Sequence, residues 1–255
     1  MSVLDEFRLD GRVVIVTGAS GGLGAAGARA IAEAGAHVIL TGRRENLLRA
    51  RVDEITAAGG SAEHRVLDAV DEDAVATTFG ELAHAVGPFD AIVNNAAQAH
   101  QAAVLDVGKA DWDRILDVNL TGTFIATQAF LRHRRNDRST SVVNISSLAA
   151  TVGVRGQAAY AASKAGVVGL TRALAVELAR EDVRVNALSP GYFATDMPGD
   201  VLADEAATTA LLRKVPQRRI ADPAEIGAPL VFLISDASRF MTGAVIHFDG
   251  GYTAL

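Results

Sequence analysis

The chain has 255 residues, 49% hydrophobic and 21% charged, with a net charge of −6 and no cysteine. This composition supplies ample apolar material for one core, expected as a single domain over residues 1–255. The acidic balance argues against nucleic acid or an anionic membrane as a partner, and the missing cysteine removes disulfides and thiolate metal or redox chemistry. Mean hydropathy is high at +0.22, but no run of about 18 apolar residues occurs, so no membrane span is expected. Asp5, Glu6, Arg8 and Asp10 do not read as a cleavable secretory signal, and the expected compartment is the cytoplasm.

In chain order, Val13–Thr17 is a continuous apolar run and reads as a buried strand. A helix is predicted from Gly22 to about Ala34, stopped by Gly35, then a strand over His37–Thr41 and a helix over Glu45–Ala58. Ala62–Leu67 is a weaker strand, Asp71–Val86 a helix ended by Gly87-Pro88, and Asp90–Asn94 a strand. There follow a long helix over Ala110–His133, a strand over Ser141–Ser146, a long helix over Gln157–Arg180 and a strand over Val183–Leu188. Asp222-Pro223 opens a helix to about Ser235, and Ala244–Phe248 is the last strand. Gln98–Lys109 and Gly191–Lys214 are the longest irregular segments, the second long enough for a substrate loop. Arg132, Arg134, Arg135 and Arg138 read as a solvated basic cluster. Buried strands alternating with helices predict a doubly wound α/β fold, a mostly parallel seven-stranded sheet covered on both faces.

Thr17-Gly18-Ala19-Ser20-Gly21-Gly22-Leu23-Gly24 lies between the first strand and the first helix. Glycines at 18, 22 and 24 let backbone turn tightly and approach a pyrophosphate at the positive helix end. In this position Thr-Gly-x-x-x-Gly-x-Gly resembles the short-chain dehydrogenase/reductase family in its classical form, and the resemblance extends over essentially the whole chain. Asn94-Asn95-Ala96-Ala97 resembles that family's Asn-Asn-Ala-Gly, with Ala97 in place of glycine. Asn119 matches its helical asparagine, and Ser147, Tyr160 and Lys164 match Ser…Tyr-x-x-x-Lys. Ser189-Pro190-Gly191 with Phe193 and Thr195 matches the segment that meets the cofactor carboxamide, and Asp249-Gly250-Gly251 matches the exit of the last strand.

Tyr160 and Lys164 are four apart on a predicted helix and share a face. A phenol titrates near 10, and a nearby ammonium is expected to lower it toward proton exchange at neutral pH. Lys164 is one of only three lysines, with Lys109 and Lys214, in a chain that otherwise uses arginine. Ser147 can donate to a developing alkoxide. The resemblance assigns Asn119 a water in a proton relay to Lys164. The six histidines show no metal-ligand spacing, and no metal is expected.

Where an NAD-specific turn offers a carboxylate to the ribose, this chain has Gly42 followed by Arg43 and Arg44. Arg43 can pair a 2′-phosphate, which favours NADP(H), with NAD(H) the alternative. By family analogy Asp68 and Ala69 border the adenine, and Ser20, Leu23, Asn95 and Ala96 join the cofactor contacts. Gln98, Arg155, Gln157, Tyr192, Phe193 and Met197 are the expected substrate rim, with Arg155 more readily an exposed loop residue. Tyr192–Met197 and Asp249–Ala254 look like the gluconate 5-dehydrogenase group and also resemble 3-oxoacyl-carrier-protein reductases. The expected activity is reversible hydride transfer between nicotinamide and a small ketone or secondary alcohol, such as a sugar acid or 3-oxoacyl substrate. The alternative is a non-catalytic NADP-binding regulator on the same fold. Two long apolar helices, offering Phe124, Ile125, Val167, Val168 and Leu170, predict a homotetramer or homodimer.

Overall fold

The described residues form seven strands, β1 (Val13–Thr17), β2 (His37–Gly42), β3 (Ser61–Val66), β4 (Ala91–Asn94), β5 (Thr140–Ile145), β6 (Val183–Pro190) and β7 (Val245–Phe248), all but the partly exposed β3 rich in apolar residues. They pair in the order β3-β2-β1-β4-β5-β6-β7, every pair parallel. The structure is a computed structural model that describes residues 2–195 and 205–254. Alternation along each strand feeds two cores. Val14 and Val16 join Val38, Leu40 and Val93 on one face, packed by α1 (Gly22–Glu33) through Ala28 and Ile31 and by α8 (Gly227–Ile234) through Leu230 and Leu233. Val13 and Ile15 join Ile92, Val142 and Val185 on the other, packed by α3 (Glu72–Val86), α5 (Gly122–Arg132) and α6 (Ala158–Leu178). The remaining helices are α2 (Glu45–Ala57), α4 (Lys109–Leu116) and α7 (Glu205–Leu212). Among the described residues no helix is long and apolar enough to cross a membrane.

The structure departs from the sequence reading in several places. The helix expected over Ala110–His133 is α4, a π-helical turn over Asp117–Thr121, and α5. The extra residue in that turn sits beside the cleft described below, where such insertions commonly occur. The helix after Asp222 begins as a 3₁₀ turn over Pro223–Ile226, with Asp222 accepting from Ala224 N and Glu225 accepting from Asp222 N. Gly191–Lys214 is not wholly irregular, because it contains α7. The arginine cluster is not simply solvated. Arg135 and Arg138 donate to Asp90 at 3.1 and 2.6 Å, and Asp90 is fully buried with its other oxygen on the Val13 N–H at 2.8 Å. Arg134 pairs with Glu181 at 2.7 Å. The cluster therefore closes the edge of the sheet opposite the cleft, where β1 and β4 begin.

Candidate active site

Chain order reverses between β1 and β4, so the carboxyl ends of these strands border the crevice where open α/β sheets bind ligands. Here the backbone is fastened directly. Thr17 Oγ1 accepts from the N–H groups of Asn95 and Ala96 at 3.0 and 3.1 Å, and the Asn95 amide donates to the carbonyls of Thr17 and Gly18. Gly18 holds φ +65°, and a Cβ there would stand 2.7 Å from Ala96 Cα. No larger residue fits this crossing of the two strands. Residue 24 is similarly restricted, since a Cβ would overlap the Asn95 amide and the Gly18 carbonyl.

Beyond this knot lies a cleft of about 530 Å³, lined from Ser20 and Arg43 at one end to Ser147, Gln157 and Tyr160 at the other. The N-terminus of α1 opens on it, and the N-cap Gly21 supplies no side-chain bond to the first N–H groups of the helix. These donors, which have no acceptor within the helix, lie at the positive end of a twelve-residue helix and are a ready anion cradle. Two arginines follow β2. Arg44 donates to Ser20 Oγ from Nε at 3.1 Å and from Nη2 at 2.8 Å, while Arg43 lies 3.7 Å from Asp68 and is well exposed. A dinucleotide fits this arrangement, since the glycine backbone and the open end of α1 can meet a pyrophosphate.

At the other end the chemistry is buried. Lys164 is 2% exposed, and its ammonium donates to the Ile145 carbonyl at 2.8 Å. Burial pulls it down to about 8. The Tyr160 phenol is pushed above its ordinary value by burial, with Ser147 as the hydrogen-bond partner opposing that shift. The lysine nitrogen stands 5.8 Å from the centre of the Tyr160 ring. The expectation of a phenol lowered by its lysine is thus not met in the chain by itself, because loss of water outweighs the Ser147 hydrogen bond. Backbone bonds hold this end in register. Ser146 Oγ donates to the Lys164 carbonyl at 3.1 Å and Ser163 Oγ to the Tyr160 carbonyl at 2.7 Å.

Of the residues singled out in the sequence, Gly18, Ser20, Gly22, Leu23, Arg43, Asp68, Ala69, Asn95, Ala96, Ser147, Tyr160, Lys164, Pro190, Gly191, Phe193 and Thr195 all line this cleft, as do Gln98, Gln157 and Tyr192. Two expected contacts do not. Gly24 lies outside the lining and serves the close packing beneath it. Asn119 is fully buried in the π turn, and its side chain is engaged by the Gln98 N–H, the Gln98 carbonyl and Ser163 Oγ at 2.8, 2.9 and 3.0 Å. It anchors the segment after β4 to α6, and its Oδ1 keeps a second lone pair beyond the bond from Gln98 N–H. Arg155 is exposed and outside the lining, and Met197 falls outside the described residues. Arg44, Gln101 and Val154 line the cleft without having been singled out for it. Only the Arg43-Arg44 pair carried a signal, because either arginine of such a pair can face the ligand.

A family model described as enoyl-(acyl carrier protein) reductase matches residues 18–253. The chain is 38% identical to a 3-oxoacyl-[acyl-carrier-protein] reductase of Thermotoga maritima, over 96% of this chain and 98% of that protein. It is 36% identical to a gluconate 5-dehydrogenase of Gluconobacter oxydans, over 99% of each. The crystal structure of a gluconate 5-dehydrogenase from Burkholderia cenocepacia, in complex with NADP and tartrate, superposes with a TM-score of 0.96 at 33% identity over the whole of both chains.

Proposed function

Because this chain belongs to the short-chain dehydrogenase/reductase family and is an oxidoreductase of alcohols and ketones, we propose that it interconverts a small ketone and a secondary alcohol with NADP(H), using Tyr160 as the proton donor and acceptor. The observation that carries this reading is the convergence of Ser147, Tyr160 and Lys164 at one end of a cleft whose other end presents two arginines. The nicotinamide, when bound, supplies or accepts the hydride. Tyr160 gives a proton to the carbonyl oxygen or takes one from the alcohol. Ser147 donates to that oxygen as charge develops on it. Lys164 keeps a positive charge beneath the phenol at neutral pH, since even its lowered value lies above 7. Asn119 fixes Gln98 against α6 and, in this reading, also holds a water in a proton relay to Lys164.

Arg43 and Arg44 favour NADP(H) over NAD(H) through the 2′-phosphate, and the NADP complex of the similar gluconate 5-dehydrogenase supports the same choice. The whole chain acts as one catalytic domain, in the cytoplasm, as a homotetramer or homodimer. Of the expected contact residues, Val167 is buried, whereas Phe124 on α5 is 46% exposed; Val176 on α6, not among those expected, is 83% exposed, and both suit a partner surface. Light scattering tests the assembly, and a lone 26.5 kDa particle contradicts it. The test of function is a panel of ketones and alcohols with NADPH and NADP⁺, followed by nicotinamide absorbance. Tight NADPH binding with no turnover anywhere on the panel favours a regulator instead.

A further inference from the structure

We propose that the substrate of this site is an uncharged polyhydroxylated molecule, a short alditol and its ketose, rather than a carboxylate such as a sugar acid. The inference rests on the dehydrogenase reading above and narrows it.

Charge is the first argument. The cationic side chains among the described lining residues are Arg43, Arg44 and Lys164. Arg43 and Arg44 stand at the end of β2 beside Asp68 and Ser20, and Lys164 is spent on the Ile145 carbonyl beneath Tyr160. Arg114 approaches the region but is taken by Gln98 Oε1 at 2.5 Å and Asp111 at 2.8 Å. Arg155 is exposed, outside the lining. Residues 196–204 read Asp-Met-Pro-Gly-Asp-Val-Leu-Ala-Asp, so wherever they lie they supply three carboxylates and no cation. A substrate carboxylate leaving water here finds no charge partner among the described lining residues at this end, which is a heavy penalty.

Hydrogen-bonding character is the second argument. Three amides, Gln98, Gln101 and Gln157, line the same cleft as Tyr160. Gln157 is the N-cap of α6, three residues before Tyr160. Gln101 lies against the neighbouring Gly156, where an added Cβ would be 3.1 Å from its Cγ. The Gln98 amide N–H groups meet no acceptor among the described residues, and its oxygen is engaged by Arg114. No hydrogen bond joins the Gln101 or Gln157 amide to a described residue. An amide offers two donors and one acceptor group, and a hydroxyl is itself both donor and acceptor. A row of such amides matches successive hydroxyl groups, whereas Ala149, Val154 and Phe193 suit the carbon chain between them. Sites built to bond hydroxyls discriminate strongly against analogues lacking them.

The experiment compares initial rates of the full chain with NADP⁺ on threitol, erythritol and xylitol, on threonate and xylonate, and on cyclohexanol. The expected result is an alditol whose kcat/KM exceeds that of every aldonate and of cyclohexanol by at least tenfold. Gln157→Leu lowers the alditol-to-cyclohexanol ratio by at least tenfold, and Gln157→Lys raises the aldonate-to-alditol ratio. An aldonate equal to or better than the alditols overturns the charge argument, and cyclohexanol as the preferred substrate overturns the hydroxyl argument. No turnover of any class, nor of the matching ketones with NADPH, while the cofactor binds, overturns the dehydrogenase reading and this proposal with it.

Discussion

The two ends of the cleft use positive charge in opposite ways. After β2, Arg43 is 61% exposed by its side chain and pairs with Asp68 only at 3.7 Å. On α6, Lys164 is 2% exposed and burial pulls it down to about 8. A solvated guanidinium costs the fold little and offers an attraction that salt screens. A buried ammonium costs the fold stability, and this one stands 5.8 Å from the centre of the Tyr160 ring, where the proton is exchanged. One end is therefore suited to recognition and the other to chemistry, and substitutions at the two ends are expected to separate accordingly.

The largest expected effect is at the buried end. Tyr160→Phe keeps the ring and its packing but removes the proton donor, so turnover is expected to fall by about 10² to 10⁴. NADPH affinity, read by nicotinamide fluorescence, stays within a few fold of the unaltered chain. Loss of cofactor binding in parallel with turnover would break the separation. Next is the pair that ties β1, β4 and the arginine cluster together. Asp90→Ala removes the buried carboxylate that Arg135, Arg138 and the Val13 N–H share, and is expected to cost about 1–3 kcal/mol in chemical unfolding. It should leave KM for NADPH unchanged, because Asp90 lies at the far edge of the sheet.

Further effects sharpen the comparison. Arg43→Ala is expected to weaken NADPH by about 1.5–3 kcal/mol, a charge-assisted bond's worth, and to leave NADH little changed. Its NADPH affinity is also expected to depend less on salt than that of the unaltered chain. Equal losses for both cofactors contradict the assignment of that end to the 2′-phosphate. Lys164 titrates at about 8 when folded and near the ordinary lysine value of about 10.4 when unfolded. Between those values the unfolded chain holds more protons, so this group's contribution to stability rises with pH there. Below pH 8 the buried ammonium is a full cost. Lys164→Met is accordingly expected to stabilise the fold by about 1–3 kcal/mol at pH 7 while abolishing activity. That gain in unfolding free energy shrinks as pH climbs from 8 to about 10.4.

The sequence made some of this plain and hid the rest for physical reasons. Parallel strands buried on both faces are continuous apolar runs, so Val13–Thr17 and Val183–Leu188 stand out from the residues alone. The glycine turn and the Tyr160–Lys164 spacing are local patterns, and the structure brings both to one cleft. The π turn over Asp117–Thr121 was hidden because one extra residue leaves the helical period almost intact on either side. The anchoring role of Asn119 is not legible in the sequence, because its partners Gln98 and Ser163 lie 21 and 44 residues away and only folding brings them together. The same holds for Asp90, whose arginines come 45 and 48 residues later. Gln101 carries no local signature at all, since an amide in an irregular segment is ordinary until the backbone turns it toward a cavity.

The central claim is that the cleft moves a hydride to a carbonyl carbon while Tyr160 supplies the proton to its oxygen. The most direct measurement is reduction of the best ketone on the panel with NADPH deuterated at the transferring C4 position, the product alcohol being weighed by mass spectrometry. The account predicts one deuterium on the carbinol carbon of every product molecule, none from the solvent at that carbon, and the same labelling at a rate lower by about 10² or more with Tyr160→Phe. Alcohol formed without the label, or formed by Tyr160→Phe as fast as by the unaltered chain, contradicts it.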